Sequence, residues 1–337
     1  MAVTSFTSDG LMKNSTQVLC ALAAFALSAV SMPAHGAEIQ YPTRSVRLIV
    51  PFPPGGSTDA MARILSPRMG DAMGQTWVVD NRGGAGGNLG AEYAARANPD
   101  GHTVLLALNT QLTASPNLYK LPFSVEKDLQ PVTMTATHEH IVLVPPAFPA
   151  KTFKEFVVIA REKQGKLTYG SSGVGGSLHL AAELLKRRAG FDMVHVPYKG
   201  AGPAIAALLG GEVNVMVGAV PSTIAHVNAG RLRALATTGP VRHKVTASLP
   251  TIAELGFPDF ENIAWFALLV PAATPQPIVA RILQEAHKAI QQSEVSGAMT
   301  KLGLDPKTST PAELRTRIKA ETAQLATVIK EAGIKGE

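Results

Sequence analysis

The sequence predicts an α/β protein built from two similar units that face each other across a cleft. In each unit a short apolar run typical of a buried strand, residues 46–50 or 166–169, precedes a glycine-rich loop, and helical spacing follows it. The loops are PFPPGGSTD (residues 51–59) and SSGVGGSLH (residues 171–179). Because ligands of open α/β sheets bind at the carboxyl ends of strands, both loops are expected to face the cleft.

The first unit shows alternating strand and helix signals. These elements are predicted at residues 48–50, 58–73, 77–79, 93–97 and 103–108. Pro67 is expected to kink or shorten the first helix, because proline lacks a backbone N–H. Asn98-Pro99-Asp100-Gly101 predicts a turn, since proline fixes φ and glycine supplies a positive φ. The alternating order predicts a parallel sheet with right-handed crossovers.

The second unit repeats this alternation without a detectable short-period repeat. Its strands are predicted at residues 141–144, 166–169, 193–196, 213–217 and 232–237. Its helices are predicted at residues 153–163, 178–189, 203–209 and 221–229. A further strand at 265–270 and helices at 275–292 and 311–332 follow. Each unit therefore places one glycine loop between a strand and a helix.

Both glycine loops are predicted to bind an anion. A helix N-terminus offers unpaired N–H groups and the positive end of the helix dipole. Neither loop contains Lys or Arg, so backbone amides and hydroxyls would hold the anion, which favours a carboxylate over a phosphate. The patterns of phosphate loops, dinucleotide loops and nucleophile elbows are not matched. The cluster GGAGG at residues 83–87 also fails the dinucleotide pattern, because Leu89 occupies the position of its last glycine. The alternative is that the glycines merely mark turns.

The first 37 residues have the three-part pattern of a secretory signal peptide. Lys13 precedes an uncharged run over residues 18–30, and small residues follow at 34–37. The run is too short for a membrane-spanning helix. Cleavage after Gly36 or Ala37 would give a periplasmic protein without cysteine, because Cys20 is the one cysteine of the sequence. Disulfides, thiol catalysis and cysteine-based metal sites would then be excluded.

The charge pattern does not indicate a nucleic-acid partner. The net charge is +6, but the positive residues are scattered, apart from the triplet at residues 186–188, and aromatic residues are few. A mild positive field would attract an anionic solute. No cofactor or metal site is predicted. His138 and His140, on either side of Glu139, are interpreted as part of a hinge loop between the units rather than as metal ligands.

Several sequence blocks occur in order over the whole mature chain. They are LIVPFPPGGSTD (48–59), VDNRGGAGG (79–87), YGSSGVGGSLHL (169–180) and HVPYKG (195–200). Together they resemble the Bug family, the extracytoplasmic solute receptors of tripartite tricarboxylate transporters. The resemblance implies a two-lobed periplasmic-binding-protein fold, similar to type II, with the ligand cleft between the lobes. Lobe 1 would comprise residues 38–140 plus 251–337, and lobe 2 would comprise residues 141–250.

The resemblance also implies a function. The protein would capture a small mono- or dicarboxylate, aromatic acids included, and would deliver it to the membrane subunits of a tripartite tricarboxylate transporter. It is expected to act as a monomer. One alternative is a ligand sensor for a signalling system. Another is an enzyme acting on carboxylic acids, with Ser171, Ser172 or Ser57 as nucleophile and His179 as base.

The family's ligand contacts carry over to the two glycine loops of this sequence. They are Phe52, Pro54, Gly55, Gly56, Ser57, Thr58 and Asp59 in the first loop and Ser171, Ser172, Gly173, Gly175, Ser177 and His179 in the second. Asp59 lies in the first turn of a predicted helix, where stabilising the helix dipole competes with ligand contact.

Two further positions are predicted to affect the ligand. Asn109, with Thr110 and Gln111, ends the third strand and is expected to contact the distal end of the ligand. Gly218 occupies a position where many family members have Asp. The far wall of the cleft would therefore lack a carboxylate for a ligand ammonium group.

Overall fold

The computed structural model describes residues 1–2, 40–331 and 333–336. The chain divides into two compact units, Met1–Gln40 and Tyr41–Glu337, and the second is described below. The predicted signal peptide, apart from residues 1–2, lies outside the described residues. In the described part of the chain, every helix is too short or too polar to cross a membrane.

Ten strands form one mixed sheet in the described part of the chain. They are β1 (Val46–Val50), β2 (Trp77–Asn81), β3 (Thr103–Leu108), β4 (Leu129–Val144), β5 (Thr168–Ser171), β6 (Val194–Pro197), β7 (Val215–Ala219), β8 (Arg233–Thr237), β9 (Ile263–Pro271) and β10 (Asp305–Pro306). The order along the sheet is β2-β1-β3-β9-β4-β7-β5-β6, and β8 and β10 also pair with β4.

Twelve α-helices accompany these strands in the same described residues. They are α1 (Ser57–Met73), α2 (Asn88–Ala95), α3 (Asn109–Thr113), α4 (Ser115–Leu118), α5 (Val125–Asp128), α6 (Phe153–Glu162), α7 (Ser177–Ala189), α8 (Ala201–Leu209), α9 (Val220–Asn228), α10 (Gln276–Gln291), α11 (Ser293–Lys301) and α12 (Pro311–Glu331). Short 3₁₀ turns occur at Ala85–Gly87, Lys244–Thr246 and Ala253–Leu255.

The sheet contains two parallel groups of three strands. In the first group β1 pairs with β2 and β3, as the sequence predicted. In the second group β5 pairs with β6 and β7. Because parallel strands end at the same edge, the loops that follow the strands of one group lie beside one another.

Strand β4 connects the two groups. Its residues 129–139 pair with β9, and His140 to Leu143 pair with β7, both antiparallel. The sequence predicted a strand over residues 141–144, which is the last quarter of β4. The predicted hinge loop at His138 and His140 is wrong, because both histidines lie inside this continuous strand and are buried.

The first strand group has a hydrophobic core on each face. Val46, Leu48 and Val50 of β1 pack into one core with residues of α1 and α10. Ile49 points to the other face and packs with residues of α2 and α3. Burial of both faces is typical of parallel strands, and it explains the continuous apolar sequence of β1.

Helices α1 and α7 end in the same way. Gly74 follows α1 with φ of 71°, and its N–H donates to Gly70 O at 2.9 Å. Gly190 follows α7 with φ of 69°, and its N–H donates to Lys186 O at 2.9 Å. Such caps favour glycine because the left-handed backbone conformation is strained in a residue that carries a Cβ atom. Pro67 lies inside α1 but does not end it, so the expected shortening is wrong.

We expect Phe156→Ala to destabilise the second strand group strongly. The Phe156 ring is buried in α6, with its centroid 5.5 Å from that of Phe191 and 6.1 Å from that of Phe153. Its loss should lower the free energy of unfolding by about 3–5 kcal/mol. Val158→Ala is the matched control, because this side chain of the same helix is 54% exposed. Equal urea midpoints for the two variants would contradict this packing.

Candidate functional site

Two glycine loops lie at the carboxyl ends of strands β1 and β5. The first glycine loop (residues 51–56) leads into α1, and the second glycine loop (residues 172–176) leads into α7. The residue before each helix is a glycine in extended conformation, Gly56 or Gly176, and no side chain caps either helix. The amides of both first turns are therefore left to other partners, at the positive ends of the helix dipoles.

The two loops share one hydrogen-bonding motif, Gly-Gly-Ser-x-acceptor. In the first loop Gly55 N–H donates to Asp59 Oδ2 at 3.2 Å. In the second loop Gly175 N–H donates to His179 Nδ1 at 2.9 Å. Both glycines have a positive φ, 89° and 71°, which favours glycine. The aligned segments GGSTD and GGSLH contain this repeat, which the prediction of two similar loops did not include.

Asp59 stabilises the first loop through several contacts. It accepts hydrogen bonds from Arg63 Nε at 2.9 Å and from Asn81 Nδ2 at 3.1 Å, and Asn81 Nδ2 also donates to Phe52 O. Burial raises the pKa of Asp59, but the hydrogen bonds from Arg63, Gly55 and Asn81 outweigh burial and lower the pKa overall. The carboxylate therefore stays charged and holds the loop in place.

His179 belongs to a stack of three rings beneath the second loop. Its ring lies 4.0 Å from the His195 ring at an interplanar angle of 5°, and His195 stacks on Tyr169 at 4.9 Å. Burial lowers the pKa of His179 to about 4, and the positive charge of Lys186 contributes. Burial also lowers the pKa of His195 to about 4. Both rings are neutral at pH 7, so His179 Nδ1 can accept the hydrogen bond from Gly175.

Ser171 stabilises the backbone of the second loop, and Ser172 lies against this loop. Ser171 Oγ lies 2.6 Å from His195 Nε2, and it accepts a hydrogen bond from Gly173 N–H at 3.2 Å. Ser171 is fully buried. Ser172 Oγ lies against Gly176, where a Cβ atom would approach it to 2.8 Å. The enzyme hypothesis paired these serines with His179, whereas the structure pairs Ser171 with His195.

A third glycine loop (residues 82–87) lies beside the other two. A Cβ atom on its Gly83 would lie 2.7 Å from Pro53 Cδ in the first loop. A Cβ atom on Gly86 would lie 3.4 Å from Val174 O in the second loop. Sequence patterns excluded this loop as a phosphate site but did not place it beside the other two loops. Its position depends on contacts between residues that are far apart in the sequence.

The HVPYKG block also contacts the first loop. A Cβ atom on Gly200 would lie 2.9 Å from Pro53 Cδ, and one on Gly202 would lie 3.2 Å from Pro54 O. Glycines here allow α8 to approach the first loop closely. Lys199, between this contact and β6, is exposed. The three glycine loops and the start of α8 thus meet at one place in the molecule.

Two of the predicted site residues, Asn109 and Gly218, lie against residues outside the glycine loops. Asn109 Nδ2 donates to Glu321 Oε1 in α12 at 2.7 Å. A Cβ atom at Gly218 would lie 2.7 Å from Leu143 Cδ1 and 3.1 Å from Thr223 Cγ2. A side chain at position 218 would therefore point at these core residues. Ser57, Thr58 and Ser177, in contrast, lie in the first turns of α1 and α7 beside the glycine loops.

The two histidines of β4 lack metal-site geometry. Their rings lie 5.3 Å apart, and His138 Nδ1 contacts Glu139 O at 3.0 Å. Glu139 instead accepts hydrogen bonds from Thr237 at 2.8 Å and Thr246 at 2.5 Å. Among the residues that the structure describes, no three His, Cys, Asp or Glu side chains are grouped to hold a metal ion.

The sequence matches a known family over most of its length. The model of the tripartite tricarboxylate transporter family receptor matches residues 61–334. The chain belongs to this receptor family. It is 39% identical over 293 residues to a protein from the tcbD–tcbE intergenic region of Pseudomonas sp. (strain P51), covering 86% of this chain and 87% of that protein. It is 34% identical to BugT of Bordetella pertussis, covering 96% and 99%. The Bug resemblance is thereby confirmed.

Solved structures confirm the fold of this receptor. The periplasmic binding protein BugD superposes with a TM-score of 0.85 at 31% identity, covering 88% of this chain and 100% of that one. A Rhodopseudomonas palustris protein solved with adipate gives 0.85 at 32% identity, covering 88% and 99%. MatC of the same species, solved with malate, gives 0.81 at 31% identity, covering 86% and 100%. The predicted periplasmic-binding-protein fold is confirmed.

Membership of the family also answers the question of function class. The family comprises solute-binding receptors of the periplasm, not enzymes. This agrees with the contacts of Ser171, which is buried and bonded within the second loop. The seryl hydroxyl and His195 therefore support the loop backbone of a receptor.

Acid should destabilise the receptor between pH 6.5 and about 4. The pKa of His179 in the folded protein is about 4, below its ordinary value of 6.5. The fold therefore favours the neutral ring, so this contribution to stability is complete above pH 6.5 and is lost as the pH falls toward 4. Buried His138, with a pKa of about 4, and His140, with a pKa of about 3, act in the same direction.

His179→Asn tests the contribution of the second loop. The Asn side chain keeps an acceptor near the position of Nδ1 but does not titrate. The free energy of unfolding of the variant should therefore fall less between pH 7 and pH 4.5 than that of the wild type. Urea unfolding at several pH values measures the difference. Parallel pH profiles for the two proteins would refute a role for His179 in the acid response.

Proposed function

We propose that this receptor binds a small carboxylate between the first and second glycine loops. The observation that carries the proposal is the motif that the two loops share. It places a glycine loop directly before α1 and before α7, and no side chain caps the N-terminus of either helix. Helix N-termini favour anions through their amides and their dipoles. Neither loop contains a cationic residue, so neutral donors would hold the ligand.

The proposed site residues are those expected from the sequence and from its family resemblance. They are Phe52, Pro54, Gly55, Gly56, Ser57, Thr58, Asp59, Asn109, Ser171, Ser172, Gly173, Gly175, Ser177, His179 and Gly218. Within this set, Asp59 and His179 would act by shaping the loops, because both side chains already bond to loop amides. Asn109 and Gly218 would act from behind the site through their neighbours.

Relatives support a carboxylate ligand and a transport role. One structural relative was solved with adipate and another with malate. The family is named for the tripartite tricarboxylate transporter, so we propose delivery of the ligand to the membrane subunits of such a transporter. We propose that the receptor acts as a monomer. A sensor for a signalling system would use the same binding chemistry. The two roles differ in whether uptake of the ligand needs the receptor together with a transporter.

We propose that two lobes close around the ligand. Lobe 1 comprises residues 38–140 plus 251–337, and lobe 2 comprises residues 141–250. The proposed boundary after residue 140 lies one residue beyond the point in β4 where pairing passes from β9 to β7. Hinge closure of this kind would signal occupancy to the partner.

We propose that the receptor reaches the periplasm through a signal peptide cleaved after Gly36 or Ala37. The charge pattern of residues 1–37 supports this, since Lys13 precedes an uncharged apolar run. Intact mass measured on the periplasmic protein should correspond to a mature chain that begins at Ala37 or Glu38. A mass that includes Cys20 would refute the proposal.

Replacing Gly55 should abolish carboxylate binding while leaving the fold intact. Gly55 has φ of 89°, so Gly55→Val would strain the loop although no atom lies within 4 Å of the added Cβ. Gly74→Val is the matched control, because Gly74 lies at the other end of α1 with φ of 71° and equal space. A thermal-shift screen against carboxylates should show stabilisation for the wild type and for the control. Equal shifts for the Gly55 variant would refute the two-loop site.

The receptor should bind simple dicarboxylates better than amino acids. A buried ammonium group needs a carboxylate partner, and an unpaired buried charge costs several kcal/mol. Asp59 already pairs with Arg63, and Glu139 is buried against Thr237 and Thr246. We expect aspartate and glutamate to bind more than tenfold more weakly than succinate and glutarate in calorimetry. Tighter binding of either amino acid would contradict this expectation.

A further inference from the structure

The second glycine loop is contacted by residues that follow the first strand group. Tyr119 Oη donates a hydrogen bond to Val174 O, in the middle of this loop, at 2.9 Å. Leu118 Cδ1 occupies the space that a Cβ atom on Gly175 would need, and Tyr119 Cε2 would lie 3.8 Å from that atom. Both contacting residues follow β3 in the chain, whereas the loop follows β5. This contact therefore crosses from one strand group to the other.

The bridging segment (residues 114–119) is anchored to α12. Asn117 Nδ2 donates a hydrogen bond to Thr322 O of this helix at 2.9 Å. Helix α12 is bonded in turn to β9, which pairs with β3, because Glu321 accepts a hydrogen bond from Trp265 Nε1 at 2.7 Å. The bridging segment is thus fixed to the side of the sheet that contains the first strand group.

A small apolar core continues the contact between the two strand groups. Ala114 of the bridging segment, Leu180 of α7 and Ile329 of α12 are buried together. Leu118 and Leu325 pack against them. Because α7 begins at the second loop, this core joins the helix of that loop to α12. Burial of these apolar side chains favours the associated form of the two groups.

Two features allow the contact to open. Arg187 Nη1 of α7 lies 2.8 Å from Glu331 Oε2 of α12, but both side chains are about half exposed, so this ion pair adds little stability. A cavity of about 710 Å³ lies between the bridging segment and α12, and its lining includes Pro116, Asn117 and Tyr119. The segment therefore has space beside it and can leave the loop without first displacing close-packed side chains.

We propose that Tyr119 is a positioning residue of the second glycine loop, which it holds only while the two strand groups are together. Separation of the groups would break its bond to Val174 and uncover Leu118 and Leu180. The loop would lose a support that its own strand group does not provide, so its anion-binding form would depend on closure. A ligand held between the loops would in turn keep the bridging contacts in place, because such coupling is reciprocal. This inference rests on the proposed carboxylate-binding function and lobe closure.

Hydrogen exchange of the ligand-free receptor tests the positioning role. Tyr119→Phe removes the hydroxyl and keeps the ring. The amides of residues 173–177 should then exchange about threefold to tenfold faster than in the wild type, which corresponds to the loss of one hydrogen bond, while residues 55–59 should be unchanged. Tyr41→Phe is the matched control, because Tyr41 Oη donates to Gly101 O at 2.7 Å, beside the amino end of β3. An unchanged second loop, or equal acceleration in both loops, would overturn the proposal.

The small core is tested by a variant of α12. Ile329→Ala should also accelerate exchange in the second loop, because it removes apolar contacts from the core that includes Leu180. Ile318→Ala is the matched control on the same helix, since Ile318 packs against a different core, which contains Ile49 and Trp265. The control should lower the melting temperature and leave exchange in the second loop unchanged. The proposal is wrong if Ile329→Ala leaves the second loop unchanged.

Binding kinetics connect the bridging segment to the ligand site. With adipate as the probe, Tyr119→Phe should raise the dissociation rate about threefold to tenfold and leave the association rate nearly unchanged, since the bridging contacts form on closure. An unchanged dissociation rate would overturn the link between this segment and closure. If no carboxylate binds the wild type, the proposed function fails, whereas the exchange rates still decide whether Tyr119 positions the second loop.

Discussion

The two glycine loops depend on one hydrogen bond that occurs twice. In each loop the N–H of a glycine with positive φ donates to the third side chain of the following helix, Asp59 or His179. This bond folds the loop back over the helix N-terminus without capping the first-turn amides by a side chain. The surrounding residues mainly support the two acceptors: Arg63 and Asn81 bond to Asp59, and His195 stacks on His179.

The two acceptors achieve the same loop geometry by different electrostatics. Hydrogen bonds keep Asp59 charged despite its burial, whereas burial keeps His179 neutral. Because both pKa values are lowered, neither acceptor changes its charge near pH 7. The two loops therefore keep a constant charge at neutral pH, with one carboxylate balanced by Arg63 and one neutral imidazole.

Local signals made much of the fold predictable, and tertiary contacts explain most of what was missed. The glycine loops, their flanking elements and the parallel first strand group were predicted, because glycine, proline and apolar runs act over a few residues. Most of β4 was missed, since buried Thr133, Thr135 and His138 interrupt its apolar pattern. The third glycine loop and the partner of Ser171 depend on residues far apart in sequence, so no local pattern could show them.

Strand β4 has a mechanical consequence. One unbroken backbone pairs with β9 over residues 129–139 and with β7 from His140 to Leu143. Any reorientation of one strand group against the other must bend or twist this strand, because its ladder hydrogen bonds fix the register at both ends. The strand therefore forms a stiff connection between the two groups rather than a flexible linker. A continuous strand that is paired along both parts of its length therefore opposes such a reorientation.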